Sequence, residues 1–272
     1  MKKQAVRFTA DLPATFFQEE QMKKTLFIFA VVLLAALLLF SGFQIYRYYT
    51  TEKETEEQFD GLAMQIEQPP PEISTKPKPE ATSEPSPIEW TISDQYGTLF
   101  EQNPDMIGWI SIPGTTINYP VMQTPDRPNY YLKHNFEKAY SDYGVPYATE
   151  SCSINPQSDN ITIFGHHMNS GKMFGVLEGY KSEAFYREHP VIHFDTRAGF
   201  GEYEIIAVFK VNPADFDYPL FVNAADETEF NKYVNRCMEL SFYDTGLSAA
   251  HGDKLITLST CEYSRQIGRA HV

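Results

Sequence analysis

Cysteine is scarce in this sequence: its 272 residues include only Cys152, Cys237 and Cys261. Their number is odd, they are widely spaced, and no two of them form a Cys-x-x-Cys pair. This arrangement argues against a disulfide framework and against a structural zinc site. Hydrophobic residues make up 42% of the chain, which is enough for a hydrophobic core.

Basic residues are also few, with 22 Lys and Arg against 36 Asp and Glu. The formal net charge is −14. Proteins that bind nucleic acids usually carry a basic surface for the phosphates, so this balance excludes that class of partner. The sequence contains no internal repeat.

Only one long hydrophobic run is present, the twenty uncharged residues 26–45. A helix of this length spans about 30 Å, the thickness of a bilayer's hydrocarbon core. A buried soluble helix is the first alternative, but so long an uncharged run argues against it. A cleaved signal peptide is the closer alternative, although its apolar region usually has about 7–15 residues and a small-x-small cleavage site. We predict an uncleaved signal anchor at residues 25–46.

The flanking charges predict the orientation of this anchor. Lys23 and Lys24 precede it, whereas Arg47 is followed by an acidic segment. The positive-inside rule places residues 1–24 in the cytoplasm as an N-terminal tail. Everything after Tyr46 is expected on the extracellular face of the cell membrane.

Composition then divides the rest of the chain into a spacer and a domain. Residues 47–89 are rich in Pro, Glu, Ser and Lys, and such a segment buries too little apolar surface to fold. Residues 90–272 are rich in aromatic and short apolar runs, as expected of one globular domain. Strands are predicted at 117–122, 160–164, 191–194, 203–211 and 254–260, and helices at 96–102, 173–180, 183–188 and 227–240.

This pattern of many strands and few long helices predicts a mostly β domain. No regular βαβ alternation is present, which argues against a doubly wound sheet. We therefore predict a closed, mixed or mostly antiparallel β-barrel with short helices.

Cys261 is the best candidate for a nucleophile. It ends a β-branched and apolar run, residues 255–260, that is typical of a buried strand. Cys237 shares one helix face with apolar residues and is expected in the core, and Cys152 lies in a predicted loop. The alternative for Cys261 is a small core residue, because free cysteine is often buried.

Two histidines follow another predicted strand through a glycine, in the order Gly165-His166-His167. No His or Glu spacing supplies further metal ligands, so neither a metal nor a cofactor is predicted. A cysteine with a histidine far away in sequence is instead a known catalytic signature. Arg265 and Arg269 are candidates to stabilise an oxyanion. The alternative for both is an exposed surface charge.

The region from Asn103 to the end resembles the class B sortases, the cell-wall transpeptidases of Gram-positive bacteria. Six segments carry the resemblance: residues 103–110, 112–115, 117–121, 131–132, 164–168 with 173–174, and 257–262. Among them, Thr257-Leu258-Ser259-Thr260-Cys261 matches the family's TLxTC motif, and Gly165-His166-His167-Met168 matches its GHxM motif.

The resemblance implies an eight-stranded sortase barrel with a Cys/His/Arg site. The motifs put the nucleophile on Cys261 and the histidine on His166. The arginine falls eight residues after the cysteine, on Arg269. Supporting or substrate-binding roles are implied for a second group of residues, Ser259, Glu262 and Leu132.

The implied activity is the cleavage of an Asn-Pro-x-Thr-type or related sorting signal on secreted proteins. A thioacyl enzyme forms on the cysteine, and an amine of peptidoglycan or of lipid II resolves it. Two other functions stay open from the residues: a cysteine hydrolase of cell-wall peptides, and an inactive anchored surface domain.

The sequence departs from the family pattern in two places. Pro128 stands where members often carry a substrate-contacting asparagine. The family also continues past the arginine into a Val-rich strand, whereas residues 267–272 resemble a read-through of a sequencing adapter. The last barrel strand is therefore expected to be missing. Arg269 is either the native catalytic arginine or stands at that position by chance.

Overall fold

The computed structural model describes residues 14–66, 91–212, 214–262 and 268–271, with backbone alone at the two ends, 14–20 and 261–271. The predicted tail at residues 1–13 and the spacer at residues 67–89 lie outside this part. Internal contacts divide the chain into two units, Met1–Thr55 and Glu56–Val272.

The first unit contains most of helix α1, Ala14–Ala63. Among the described residues it is the one helix long and apolar enough to cross a membrane, over Gln21–Ala63 with a mean hydropathy of 2.8 in its most apolar window. The large apolar side chains of the hydrophobic run that are exposed include Leu33, Leu39 and Phe43. Such exposure is unfavourable in water and suits an apolar solvent.

The end of α1 differs from the sequence-based expectation of an extended spacer from residue 47 onward. The helix continues to Ala63, and its last part belongs to the second unit. There Phe59 and Leu62, three residues apart on one helix face, are buried in the main core. This burial favours a helix over an extended linker, and the structure has a helix at residues 47–63 where an extended spacer was expected.

The second unit is built on one sheet of nine strands. Their order is β6-β5-β1-β2-β3-β4-β8-β9-β7. The pairs β2/β3 and β4/β8 are parallel, and the other pairs are antiparallel. The strands are β1 (Met106–Ser111), β2 (Asn118–Met122), β3 (Tyr147–Ala148), β4 (Asn160–Phe164), β5 (Val191–Thr196), β6 (Glu202–Glu204), β7 (Phe209–Val211), β8 (Leu255–Glu262) and β9 (Gly268–His271).

The two edge strands of this sheet, β6 and β7, follow each other in the chain through residues 205–208. The sheet is therefore a nearly closed barrel, which confirms the predicted mostly β fold. The predicted strand at 203–211 is interrupted at this seam. The N–H of Ile205 donates to the Pro190 carbonyl at 3.1 Å, and the N–H of Val208 donates to the Ser241 hydroxyl at 3.1 Å. Neither residue lies within a strand.

The sheet has nine strands, one more than the eight that the resemblance implies. Strand β9 includes Arg269, instead of starting after it, and pairs with both β8 and β7. Strand β8 is therefore not an edge strand of this sheet.

Short helices connect the strands. They are α2 (Ile92–Gln102), α3 (Glu183–Glu188), α4 (Glu227–Leu240) and the 3-10 helices Tyr130–Leu132, Phe174–Lys181 and Tyr218–Leu220. Helices α3 and α4 have the bounds expected from the sequence. The helix expected at 173–180 is a 3-10 helix, because its amide groups bond three residues back.

Two hydrophobic cores stabilise the unit, one of them including strand residues of the barrel and the other including one face of α4. Cys237 lies in the second core, as predicted, and burial raises the pKa of its thiol to about 12. Cys152 is also buried although it lies in a loop, and its thiol donates to the Thr149 carbonyl at 3.0 Å. Neither thiol is in a position to react at neutral pH.

Asn160 stabilises the parallel pair β4/β8 from inside the protein. Its side chain is fully buried. The amide accepts a hydrogen bond from the Thr257 hydroxyl at 2.8 Å and donates one to the Phe221 carbonyl at 3.0 Å. The residue thus connects both strands to the connection before α4.

Replacing this amide is expected to destabilise the fold. Asn160→Ala leaves two buried partners without their hydrogen bonds and should lower the free energy of unfolding by about 2–4 kcal/mol. Urea unfolding followed by tryptophan fluorescence measures the change, with the exposed Asn235→Ala in α4 as the control. Equal stability of the two variants would contradict the role of Asn160.

Candidate active site

The parallel pairing of β4 with β8 brings the predicted histidine and cysteine to the same end of the barrel. Phe164 is the register partner of Ser259, and the N–H of Gly165 donates to the Ser259 carbonyl at 3.0 Å. His166 comes two residues after Phe164, and Cys261 comes two residues after Ser259. Since parallel strands point the same way, both residues lie at the carboxyl end of the pair.

The pairing of β8 with β9 places the predicted arginine at the same end. Cys261 is the register partner of Arg269, and Glu262 is the partner of Gly268. Arg265, the second candidate arginine, lies outside the described residues. The backbone positions of the cysteine, the histidine and Arg269 are therefore brought together by neighbouring strands.

The His166 side chain is half-buried, and one hydrogen bond sets its tautomer. Its Nε2 atom lies 2.7 Å from the carbonyl oxygen of Leu132. A carbonyl oxygen can only accept, so Nε2 carries the hydrogen. In the neutral ring the lone pair is therefore on Nδ1, which is the nitrogen able to take up a proton.

The surroundings of His166 favour its neutral form. Burial lowers the pKa of the imidazole from its ordinary value of 6.5. The hydrogen bond to Leu132 opposes this effect, and the exposed charges of Lys133 and Asp142 act in opposite directions. The ring can therefore act as a base at neutral pH.

Gly165 allows the Phe174 ring to pack closely on the backbone between β4 and His166. A Cβ atom at this position would lie 2.5 Å from Cγ of the buried Phe174 ring. The N–H of Phe174 in turn donates to the His166 carbonyl at 2.9 Å. The packing of Gly165 on Phe174 brings the segments Gly165-His166 and Met173-Phe174 together in the fold.

Ser259, predicted as a supporting residue, is buried inside the protein. Its hydroxyl shares a hydrogen bond of 2.7 Å with the hydroxyl of Tyr218. The next residue, Thr260, donates through its hydroxyl to the Gly165 carbonyl at 2.9 Å. Sequence reasoning did not assign Tyr218 or Thr260. Thr260 lies within the TLxTC motif and could have been found, whereas nothing in the sequence links Tyr218 to β8.

Leu132, predicted to contact substrate, lies at the end of the 3-10 helix Tyr130–Leu132 with 37% of its side chain area exposed. Its backbone carbonyl has the further role of holding His166. No group of His, Cys, Asp and Glu side chains that could hold a metal ion occurs in the part of the chain that the structure describes.

Comparison with known proteins identifies the family. Residues 110–271 match the model of the Sortase domain. Sortase B of Staphylococcus aureus is 24% identical over 242 residues, covering 89% of this chain and 91% of that protein. Sortase B of Listeria monocytogenes is 30% identical over 175 residues, covering 64% of this chain and 70% of that protein.

Solved structures are similar as well. A Staphylococcus aureus sortase B–substrate complex superposes with a TM-score of 0.61 at 28% identity, over 65% of this chain and 82% of that one. Sortase B of Clostridium perfringens superposes with a TM-score of 0.60 at 26% identity, over 65% of this chain and all of that one.

The family match covers more than half of the chain, so the chain belongs to the sortase family. These enzymes are cysteine transpeptidases of the cell wall that act on sorting signals and use cell-wall amines as acceptors. The relatives and solved structures named above are sortases B, which places this chain in class B.

The lowered pKa of His166 predicts a pH dependence of stability. As pH falls below 6.5, the unfolded chain binds a proton at this residue before the folded protein does. Stability should therefore decrease from pH 6.5 down to the folded-state pKa. His166→Gln keeps an N–H for the Leu132 carbonyl but does not titrate, so it should lose less of its melting temperature between about pH 7.5 and pH 5.5. The same loss in both proteins would contradict the assigned burial effect.

Proposed function

We propose that this protein cleaves an Asn-Pro-x-Thr-type or related sorting signal and transfers the cleaved protein to a cell-wall amine. Cys261 is the nucleophile, His166 the acid and base, and Arg269 the residue that stabilises the oxyanion. The observation that carries this proposal is the register of three neighbouring strand ends. Phe164 pairs with Ser259 on one side of β8, and Arg269 pairs with Cys261 on the other.

In the first half of the reaction, Nδ1 of neutral His166 accepts the proton of the Cys261 thiol. The resulting thiolate attacks the carbonyl carbon of the substrate threonine. The negative charge that develops on the carbonyl oxygen is stabilised by Arg269. The carbon–nitrogen bond then breaks, the proton on Nδ1 passes to the leaving amine, and a thioester remains on Cys261.

In the second half, an amine of peptidoglycan or of lipid II attacks the thioester. His166 takes a proton from this amine, the carbon–sulfur bond breaks, and the proton returns to the Cys261 sulfur. The tautomer set by the Leu132 carbonyl supports this cycle, because it leaves Nδ1 free of hydrogen in the resting ring.

Cleavage of a peptide by the detergent-solubilised full-length protein tests the proposal. With a quenched fluorescent peptide that contains Asn-Pro-x-Thr, Cys261→Ala should reduce kcat by at least about 1,000-fold, because no other group replaces the thiolate. Cys237→Ala, which removes a buried thiol, should keep the kcat of the parent protein. Arg269→Lys should lower kcat by about 100-fold and Arg265→Lys should not. Added triglycine should appear in a ligated product.

Each arm can contradict a separate part of the proposal. Retained cleavage in Cys261→Ala would exclude the nucleophile. An Arg269→Lys variant with full activity would exclude the arginine. Hydrolysis without any triglycine product would favour the cysteine hydrolase over the transferase.

The membrane arrangement is part of the same proposal. We propose that residues 25–46 anchor the protein, with the N-terminus in the cytoplasm and the catalytic domain outside. The support is the exposed apolar helix and the position of Lys23 and Lys24 before it.

Protease treatment of intact cells from which the wall has been removed tests this orientation. An epitope tag at the C-terminus should be digested, and a tag at the N-terminus should be protected, because the membrane shields only the cytoplasmic side. Permeabilised cells serve as the control in which both tags are lost. Protection of the C-terminal tag in unpermeabilised cells would reverse the orientation.

A further inference from the structure

The last part of helix α1 and the turn after it, residues 56–66, contact the second half of the loop that carries His166. We call residues 56–66 the docking segment and residues 165–173 the histidine loop. Both belong to the second unit. Nothing in the sequence pairs these two segments, because one lies in the predicted spacer and the other follows a strand of the barrel.

The docking segment is held on the domain by apolar contacts. Phe59 has 5% of its area exposed and Leu62 has 3%. The Phe59 ring packs edge-on against the ring of Tyr119, with centroids 4.9 Å apart and an interplanar angle of 65°. Burying two such apolar side chains stabilises the docked position.

Tyr119 extends this contact to the histidine loop. Its hydroxyl oxygen accepts a hydrogen bond from the N–H of Met173 at 3.2 Å. Burial raises the pKa of Tyr119 to about 12, so the hydroxyl stays neutral at physiological pH. Met173 precedes Phe174, whose N–H donates to the His166 carbonyl. Two backbone N–H groups, those of Met173 and Phe174, therefore connect the Phe59–Tyr119 pair with the catalytic histidine.

An ion pair forms a second connection between the two segments. Nζ of Lys172, in the histidine loop, binds the carboxylate of Glu56 at the start of the docking segment. Both side chains are partly exposed, so the pair adds at most about 1 kcal/mol. The pair acts on an exposed part of the loop, because Asn169 and Ser170 near it are exposed.

The other end of the histidine loop is fixed by the barrel. Gly165 is bonded to β8 through its N–H and through its carbonyl, which accepts from Thr260. Between the two ends, the His166 ring is held by Leu132. The position of the ring therefore depends on the strand end on one side and on the docking segment on the other.

We propose that the docking segment is a positioning element for His166, in which Glu56 and Phe59 hold the histidine loop so that the imidazole stays at the end of the barrel where Cys261 lies. This inference rests on the proposed function for its activity measurements. Glu56, Phe59 and Tyr119 are positioning residues, because they act through the loop rather than on the substrate.

Substitutions that spare the core test the proposal in the full-length protein. Glu56→Gln and Lys172→Gln should each lower kcat by about two- to fivefold with little change in KM, as expected for loss of an exposed pair. The exchanged pair, Glu56→Lys with Lys172→Glu, should restore kcat to within about twofold, since the opposite charges face each other again. Tyr119→Phe keeps the ring and removes the hydroxyl that Met173 uses, so it should lower kcat similarly.

The matched control is Gln65→Ala. Gln65 lies in the same segment and accepts a hydrogen bond from Gln102 in α2 at 2.6 Å, away from the histidine loop. Its loss should leave kcat unchanged. If the single variants keep the kcat of the parent protein, or if the exchanged pair is as slow as either single variant, the positioning role is excluded.

A second readout does not depend on the proposed function. The titration midpoint of the His166 ring can be followed by NMR in protein labelled at histidine. Loosening of the loop exposes the ring, so Glu56→Gln and Tyr119→Phe should raise the midpoint, whereas Gln65→Ala should not. The charged neighbours Lys133 and Asp142 are the same in all variants. A parent protein without cleavage would refute the proposed function, and an unchanged midpoint would refute the positioning role.

Discussion

The parallel pairing of β4 with β8 is the constraint on which the site depends, because it brings together residues that are far apart in the chain. Its register is favoured by side-chain type: Ile161 and Ile163 in β4 and Leu258 in β8 are fully buried apolar residues. A slip of one residue in either strand would exchange its apolar side chains for the polar ones that alternate with them. The buried amide of Asn160 adds a second, directional constraint. Strand β9 pairs with the other side of β8, and the remaining strands complete the sheet.

Partial burial of His166 connects the fold to the chemistry. A fully exposed imidazole would be partly charged near neutral pH, whereas a ring that has lost part of its water favours the neutral form. The Leu132 carbonyl also determines which of the two ring nitrogens carries the hydrogen. A backbone group in a 3-10 helix thus determines which nitrogen is able to accept a proton, although no side chain pattern marks it.

Helix α1 changes character along its length. In the first unit its apolar side chains point in all directions and are exposed. In residues 56–63 the apolar side chains Phe59, Leu62 and Ala63 share one face, and that face packs in the main core. Composition alone suggested an extended spacer there, because Glu and Gln surround the buried residues. The helical spacing of Phe59, Leu62 and Ala63 was the signal that could have shown the docked helix.

The sequence by itself determined the hydrophobic anchor run, the mostly β class, the bounds of α3 and α4, and the residue types of the site. These features depend on local composition, on periodicity and on motifs whose residues are close together. Only the tertiary structure decided that residues 47–63 are helical, that β9 includes Arg269, and that Tyr218 and Leu132 support Ser259 and His166. These features depend on contacts between distant segments, and the free energy of such contacts is not visible in either segment alone.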